Sequence, residues 1–303
     1  MGCTINRLSV LRTIFVATVC AALFPGPDAA PLHVSAPAAV LQPGSVILLT
    51  ITGEAPVPSV RARAMGRQLS PFRIDSRTWQ VLVGIDLDVK PGSYPVEIES
   101  GTRDPGTRDP GTKTTYLLSV KSRRFPTRTL TVDPDLVTPP PQEMARIARE
   151  AERLRRLWDA PAGARIWEGP FIRPVPDPAN SSFGTRSIYN GQPRSPHSGT
   201  DFLSGIGRAI KAPNAGRVVL AEPLYFTGGT VVIDHGLAVL SLFAHLSSID
   251  VREGDLVKTG DVIGEVGATG RVTGPHLHWA VRVSGARVDP LLLLAALDRQ
   301  TDR

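Results

Sequence analysis

Cysteine is almost missing from this chain: 303 residues hold only 2, Cys3 and Cys20. The body of the protein therefore has no disulfide framework, no catalytic thiolate and no cysteine-based metal site. Aromatic residues are also sparse, at 6%. Past the first thirty residues, no apolar run approaches the roughly 20 residues that a transmembrane helix needs. The longest candidate, Leu291–Leu297 (LLLLAAL), is far too short. Histidine is scarce as well, with 6 in all, yet His276 and His278 stand one residue apart.

What is present is a chain that is 42% hydrophobic and 20% charged, with 28 glycines and 28 prolines. That balance suits a globular protein of strands and turns and excludes global disorder. The formal net charge of +6 favours solubility and attraction to anionic polymers. No nucleic-acid-binding motif accompanies it, so nucleic acid is not an expected partner.

Residues 1–30 read as a secretory signal peptide. Arg7 and Arg12 precede the apolar run Ile14–Phe24, and Pro-Gly-Pro-Asp-Ala-Ala follows. Both cysteines lie in this segment. The expected location is the periplasm or cell envelope, with membrane contact only if the segment stays uncleaved.

The remainder divides into parts. Residues 31–122 carry short β-prone runs at Val46–Ile51, Trp79–Val83, Tyr94–Ile98 and Thr115–Val120, separated by turn clusters, a spacing that predicts an immunoglobulin-like β-sandwich. The duplicated Gly-Thr-Arg-Asp-Pro at 101–110 falls between two of these strands and reads as a solvated hairpin loop. Residues 123–166 form a linker, first proline-spaced and extended, then helical from about Gln142. Met144, Ile147, Ala151, Leu154 and Trp158 give that helix one apolar face, expected to lie on the following domain. Residues 167–303 read as a second, mainly antiparallel β domain. Its predicted strands include Arg217–Ala221, Thr230–Asp234, Val239–Phe243 and Leu277–Val283, with no helix evident between Trp167 and Pro290.

In a strand, alternate side chains share a face, so His276 and His278 can converge on one small object. Upstream, His197-Ser-Gly-Thr-Asp201 has an even spacing that also places both functional ends on one face. His197, Asp201 and one histidine of the 276/278 pair would make a three-ligand zinc site with an open position for water. His245, in Phe243-Ala-His-Leu246, and the remaining histidine would then be free for proton transfer near neutral pH. His33 and His235 read as structural or surface residues.

These segments resemble the lysostaphin/LytM-type family of zinc metalloendopeptidases, which cleave peptides in bacterial cell walls. The resemblance runs from about Phe183 to Leu292. It rests on Phe183-Gly-Thr-Arg186, His197-Ser-Gly-Thr-Asp201, Ile233-Asp-His-Gly236, Phe243-Ala-His-Leu246 and Gly267-Ala-Thr-Gly-Arg-Val-Thr-Gly-Pro-His-Leu-His-Trp279. The region before it resembles the immunoglobulin-like domain of some Gram-negative members. The resemblance implies Zn2+ held by His197, Asp201 and His278, and a catalytic pair, His245 and His276, around a zinc-activated water. It implies peptidoglycan stem peptides and cross-links as substrate. The alternative is a non-catalytic cell-wall-binding regulator of another hydrolase. The chain departs from many members at Phe243 and Ala280, neither of which is a ligand. Gly199, Gly270 and Gly274 are expected to let an extended peptide approach the backbone.

Overall fold

The computed structural model describes residues 31–101, 111–131, 138–181 and 183–298. The expected signal peptide and most of the duplicated pentapeptide lie outside the described residues.

The first unit contains eight strands: β1 (Leu32–Ser35), β2 (Val46–Gly53), β3 (Val60–Ala64), β4 (Arg67–Leu69), β5 (Phe72–Arg73), β6 (Thr78–Gly84), β7 (Gly92–Ser100) and β8 (Thr112–Val120). They form two four-stranded antiparallel sheets, ordered β1-β2-β6-β5 and β4-β3-β7-β8. The sheets face each other across a core that includes Ile47, Leu49, Ile51, Val81 and Val83 from one and Ala62, Val96, Ile98 and Leu118 from the other. This is the expected β-sandwich. β1 and β3 to β5 escaped the sequence reading because they are short or carry arginines at alternate positions, as in Val60-Arg-Ala-Arg-Ala64.

The continuous apolar run of β2 has a specific cause. Odd positions Ile47, Leu49 and Ile51 point into the sandwich. Even positions Val46 and Leu48 point the other way, into the core of the second unit, beside Val283, Val288, Leu293 and Leu297. A sheet covered on both faces needs hydrophobic residues at every position. The approach is close: a Cβ at Gly84 would lie 2.9 Å from Val288 and 3.1 Å from Ala286.

Between the units lie β9 (Thr127–Leu130) and α1 (Met144–Trp158). α1 packs on the second unit through Leu154, Leu157 and Trp158. Met144, expected on the apolar face, is 54% exposed. Arg153 ties the helix down by ion pairs to Glu222 at 2.5 Å and Glu253 at 2.6 Å.

The second unit contains β10 (Ala179–Ser181), β11 (Arg186–Tyr189), β12 (Gln192–Pro193), β13 (Gly199–Phe202), β14 (Ala209–Lys211), β15 (Gly216–Leu224), β16 (Gly228–Asp234), β17 (Val239–Ile249), β18 (Leu256–Val257), β19 (Val262–Val266), β20 (Leu277–Val283) and β21 (Ala286–Val288). The main antiparallel sheet runs β10-β13-β20-β17-β16-β15-β18, with β21 on β20 and β19 joining β14 to β17. A smaller sheet, β12-β11-β9, brings in the linker strand. Leu291–Leu297 lies in a helix, α2 (Pro290–Asp298), that packs against β2, β13 and β20. Its apolar character on nearly all sides, which hid any helical stripe, suits a helix wedged between two sheets. No described helix is long and apolar enough to cross a membrane.

Candidate metal centre and active site

β13 and β20 run antiparallel with Asp201 directly opposite His278 and Thr200 opposite Trp279. In such a ladder, opposed residues share a face and alternate residues face away. Leu277 and Trp279 therefore fill the core while His278 turns to the other side. His197 comes from the turn before β13, where its amide donates to the Thr185 carbonyl at 2.9 Å.

The three side chains meet at one point. Asp201 Oδ1 lies 2.9 Å from His197 Nε2 and 2.8 Å from His278 Nδ1, and those two nitrogens are 3.0 Å apart. With Asp201 ionised, no assignment of protons satisfies this triangle. With both nitrogens protonated, two N–H groups oppose each other; with fewer, a nitrogen lone pair faces the carboxylate. A divalent cation shared by the three atoms removes every repulsion, and two imidazoles with one carboxylate are an ordinary donor set for one. The residues present thus fit a metal. Burial alone would raise the Asp201 pKa, but the two imidazoles against it outweigh burial and hold the carboxyl well below the usual range. Burial lowers the pKa of His278, favouring the neutral, ligating form.

Gly199 belongs to this centre. A Cβ there would lie 2.5 Å from the Trp279 carbonyl and 2.7 Å from the His278 ring. Gly270 likewise abuts backbone, 2.4 Å from the Gly228 nitrogen by the same measure. The expected approach of a peptide to these two glycines is replaced by approach of the protein to itself, while Gly274 lines the groove.

His245 reaches the site through a distortion. Ala244 is paired with His278, so in a regular strand residue 245 would point to the opposite face, into the core. Instead β17 bulges: Ala244 and His245 together oppose Thr230, and His245 takes φ +70°. A left-handed conformation at a non-glycine costs about 1–3 kcal/mol and clusters at functional sites. Here it swings the imidazole to 6.1 Å from His278 and 4.8 Å from His276, between ring centroids.

Both outer histidines are fixed in the same way. His245 Nδ1 donates to the Thr269 carbonyl at 2.9 Å, and His276 Nδ1 to the Gly274 carbonyl at 2.9 Å. Each keeps Nε2 as its basic nitrogen. His276 Nε2 stands 3.9 Å from Asp201 Oδ1. Burial, then repulsion from His278, pushes the His245 pKa down to about 3, so the ring is a neutral base at physiological pH. Thr269 also locks the loop: its hydroxyl accepts from Gly229 N at 2.8 Å and donates to the Leu246 carbonyl at 2.8 Å.

All five side chains line one open groove of about 690 Å³, walled by Tyr189, Phe226, Arg271 and the linker residues Pro126 and Arg128. Sequence reasoning missed these wall residues. Those before 195 lie in a segment with no chemical pattern, and Arg271 sits among glycines that drew attention as turns. His235, by contrast, is structural. It is fully buried, with Nδ1 donating to the Ala215 carbonyl and Nε2 accepting from Ser241. His33 is exposed. Phe243 is buried and stacked on Trp279, out of reach of the groove.

A protein from Pseudomonas aeruginosa assigned to peptidase M23 has a crystal structure that matches 84% of this chain and 95% of its own, at 34% identity and a TM-score of 0.65. The chain belongs to peptidase family M23. The family model itself matches residues 195–290 of this M23 protein, from just before His197 to just after β21. Among curated relatives, the peptidoglycan DD-endopeptidase ShyB of Vibrio cholerae is 41% identical over 96 residues. The DD-carboxypeptidase/endopeptidase Mpg of Neisseria meningitidis is 40% identical over 95. Each match covers about a third of this M23 chain, 32% and 31%, and 22% of the relative.

Proposed function

We propose that the protein is a zinc-dependent endopeptidase that hydrolyses peptide cross-links of bacterial peptidoglycan in the periplasm or cell envelope. The observation that carries this reading is the paired arrangement of the site. Three donor atoms converge on one point, and two histidines beside it are held with Nε2 as the basic nitrogen. The names of the curated relatives support peptidoglycan as the substrate.

In this reading His197 Nε2, Asp201 Oδ1 and His278 Nδ1 hold the zinc, and His245 and His276 are the catalytic residues. A zinc ion held there would polarise the scissile carbonyl and make water more acidic. His245, kept neutral by burial and oriented by the Thr269 carbonyl, accepts a proton from the attacking water at Nε2. The same proton passes to the departing amide nitrogen. His276, in its protonated form, donates from Nε2 to the carbonyl oxygen as negative charge develops there. The rigid sheet beneath keeps all five groups in place before substrate arrives.

The test is a muropeptide profile of purified sacculi treated with zinc-loaded protein. Loss of cross-linked dimers with a matching gain of monomers is the expected result. An unchanged profile at full zinc occupancy would instead favour a binder that regulates another hydrolase.

A further inference from the structure

The linker between the two units is part of the groove. Arg123 pairs with Asp289 at 3.1 Å and lies over the Phe125 ring at 5.0 Å. Phe125 in turn occupies the space beside Gly184, where a Cβ would come within 2.1 Å of its ring. Gly184 has φ +83°, so no other residue is easily accommodated there. Beyond this anchor, β9 pairs in parallel with β11, in the register Arg186↔Thr127 and Ser187↔Arg128. The residues leading into β11 bond in turn to the turn that bears His197, through Gly184 N to the His197 carbonyl at 2.7 Å and His197 N to the Thr185 carbonyl at 2.9 Å. The linker and a metal-site histidine are thus joined by a short run of backbone hydrogen bonds.

This arrangement delivers Arg128 to the groove wall, in the same groove as Asp201 and His245. Its Nε donates to Ser187 Oγ at 3.0 Å, which orients the guanidinium and leaves its terminal amino groups to form a planar fork. Arg271 lines the same groove from the loop that ends in His276, its guanidinium 4.2 Å above the Phe226 ring. Arg194 adds positive charge beside this rim, its guanidinium 5.9 Å from the centre of the groove-lining Tyr189 ring. Among the described residues lining the groove, the only carboxylate is Asp201, which faces two imidazoles. A groove with two guanidinium groups and one committed carboxylate suits a substrate that brings carboxylates of its own.

We propose that Arg128, carried in by the linker strand, is a specificity-determining residue that binds a carboxylate of the substrate peptide, with Arg271 as a second cationic contact, so that the groove selects acidic peptides. The inference rests on the peptidase reading above. It makes residues 123–130 part of the substrate site, although they lie outside the segment matched by the family model, 195–290.

The experiment compares the full zinc-loaded chain with Arg128→Gln and Arg128→Lys. The substrates are a cross-linked muropeptide dimer with free carboxylates and the same dimer with those groups converted to carboxamides. A charge-assisted bond of this kind implies roughly 10-fold or greater preference of the wild type for the free acid, expressed in KM. Arg128→Gln brings that ratio close to one, with zinc content and melting temperature maintained; Arg128→Lys recovers part of it. Equal losses on both substrates would assign Arg128 a purely structural role at β11 and overturn the proposal, as would a wild type indifferent to amidation. If no dimer is cut, the peptidase reading fails, and calorimetric binding of the two dimers still decides this inference. A carboxylate preference lost in Arg128→Gln upholds it; equal binding overturns it.

Discussion

Asp201 and His278 face each other across the β13–β20 ladder, with Oδ1 and Nδ1 2.8 Å apart. The proposed metal site thus takes two of its three ligands from the pairing of two core strands, and His197 from the segment just before β13. Zinc should then act as a structural brace as well as a reactive one. At zinc concentrations about 100 times Kd, binding to the native state alone stabilises by about 2.7 kcal/mol. Calorimetric melting with and without chelator checks this. His278→Ala should melt at the same temperature in both conditions, and Gly199→Ala, which crowds the His278 ring, should weaken the zinc response.

The Thr269 hydroxyl bridges Gly229 N and the Leu246 carbonyl, each at 2.8 Å, while the Thr269 carbonyl fixes His245. Thr269→Val removes both bridges and leaves two backbone groups unpaired, at about 1–3 kcal/mol each. The expected outcome is a stoichiometric zinc protein with depressed kcat. Thr269→Ser should restore most of it, and steady-state kinetics beside metal analysis separates the two effects.

His235 contributes a pH dependence of stability. Burial pushes its pKa down from 6.5 to about 4. The neutral ring is the form that fits the fold, so this contribution is complete above pH 6.5 and is lost as pH falls from 6.5 towards 4. The loss amounts to about 3 kcal/mol. His235→Asn should be less stable than wild type at pH 7, with the difference shrinking as pH approaches 4. Urea unfolding at a series of pH values measures it.

Arg287 joins the second unit to the sandwich. Its guanidinium donates to Asp86 Oδ1 at 2.5 Å and Asp88 Oδ2 at 2.6 Å, and its amide to Asp86 Oδ2 at 2.8 Å. Asp86→Ala leaves a half-buried guanidinium and a backbone N–H without this partner. A loss of about 2 kcal/mol is expected, below the figure for a fully buried pair. Chemical denaturation reads it, and zinc binding should persist.

Much of the site was legible in the sequence because its chemistry is local. Asp201 and His278 become cross-strand neighbours on β13 and β20, while His197 and His276 stand just before those strands and reach the same groove from there. The resemblance had to choose between His276 and His278, because alternation places both on one side and only the register shows which one opposes Asp201. The bulge at His245 was not legible, since nothing in Phe243-Ala-His-Leu246 announces a positive φ. Nor was the groove wall at Arg128, which depends on a parallel pairing between segments some sixty residues apart. The same holds for β2, whose unbroken apolar run signalled a strand but not the second layer that covers it.

The central claim is a division of labour among five side chains: three for the metal, two for protons. The most direct measurement is zinc content and turnover on the same preparations of wild type, His276→Ala and His278→Ala. The account predicts one zinc per chain and cleavage for wild type, one zinc and almost no cleavage for His276→Ala, and neither for His278→Ala. A His276→Ala protein that loses its zinc, or that cuts cross-links at the wild-type rate, would contradict it.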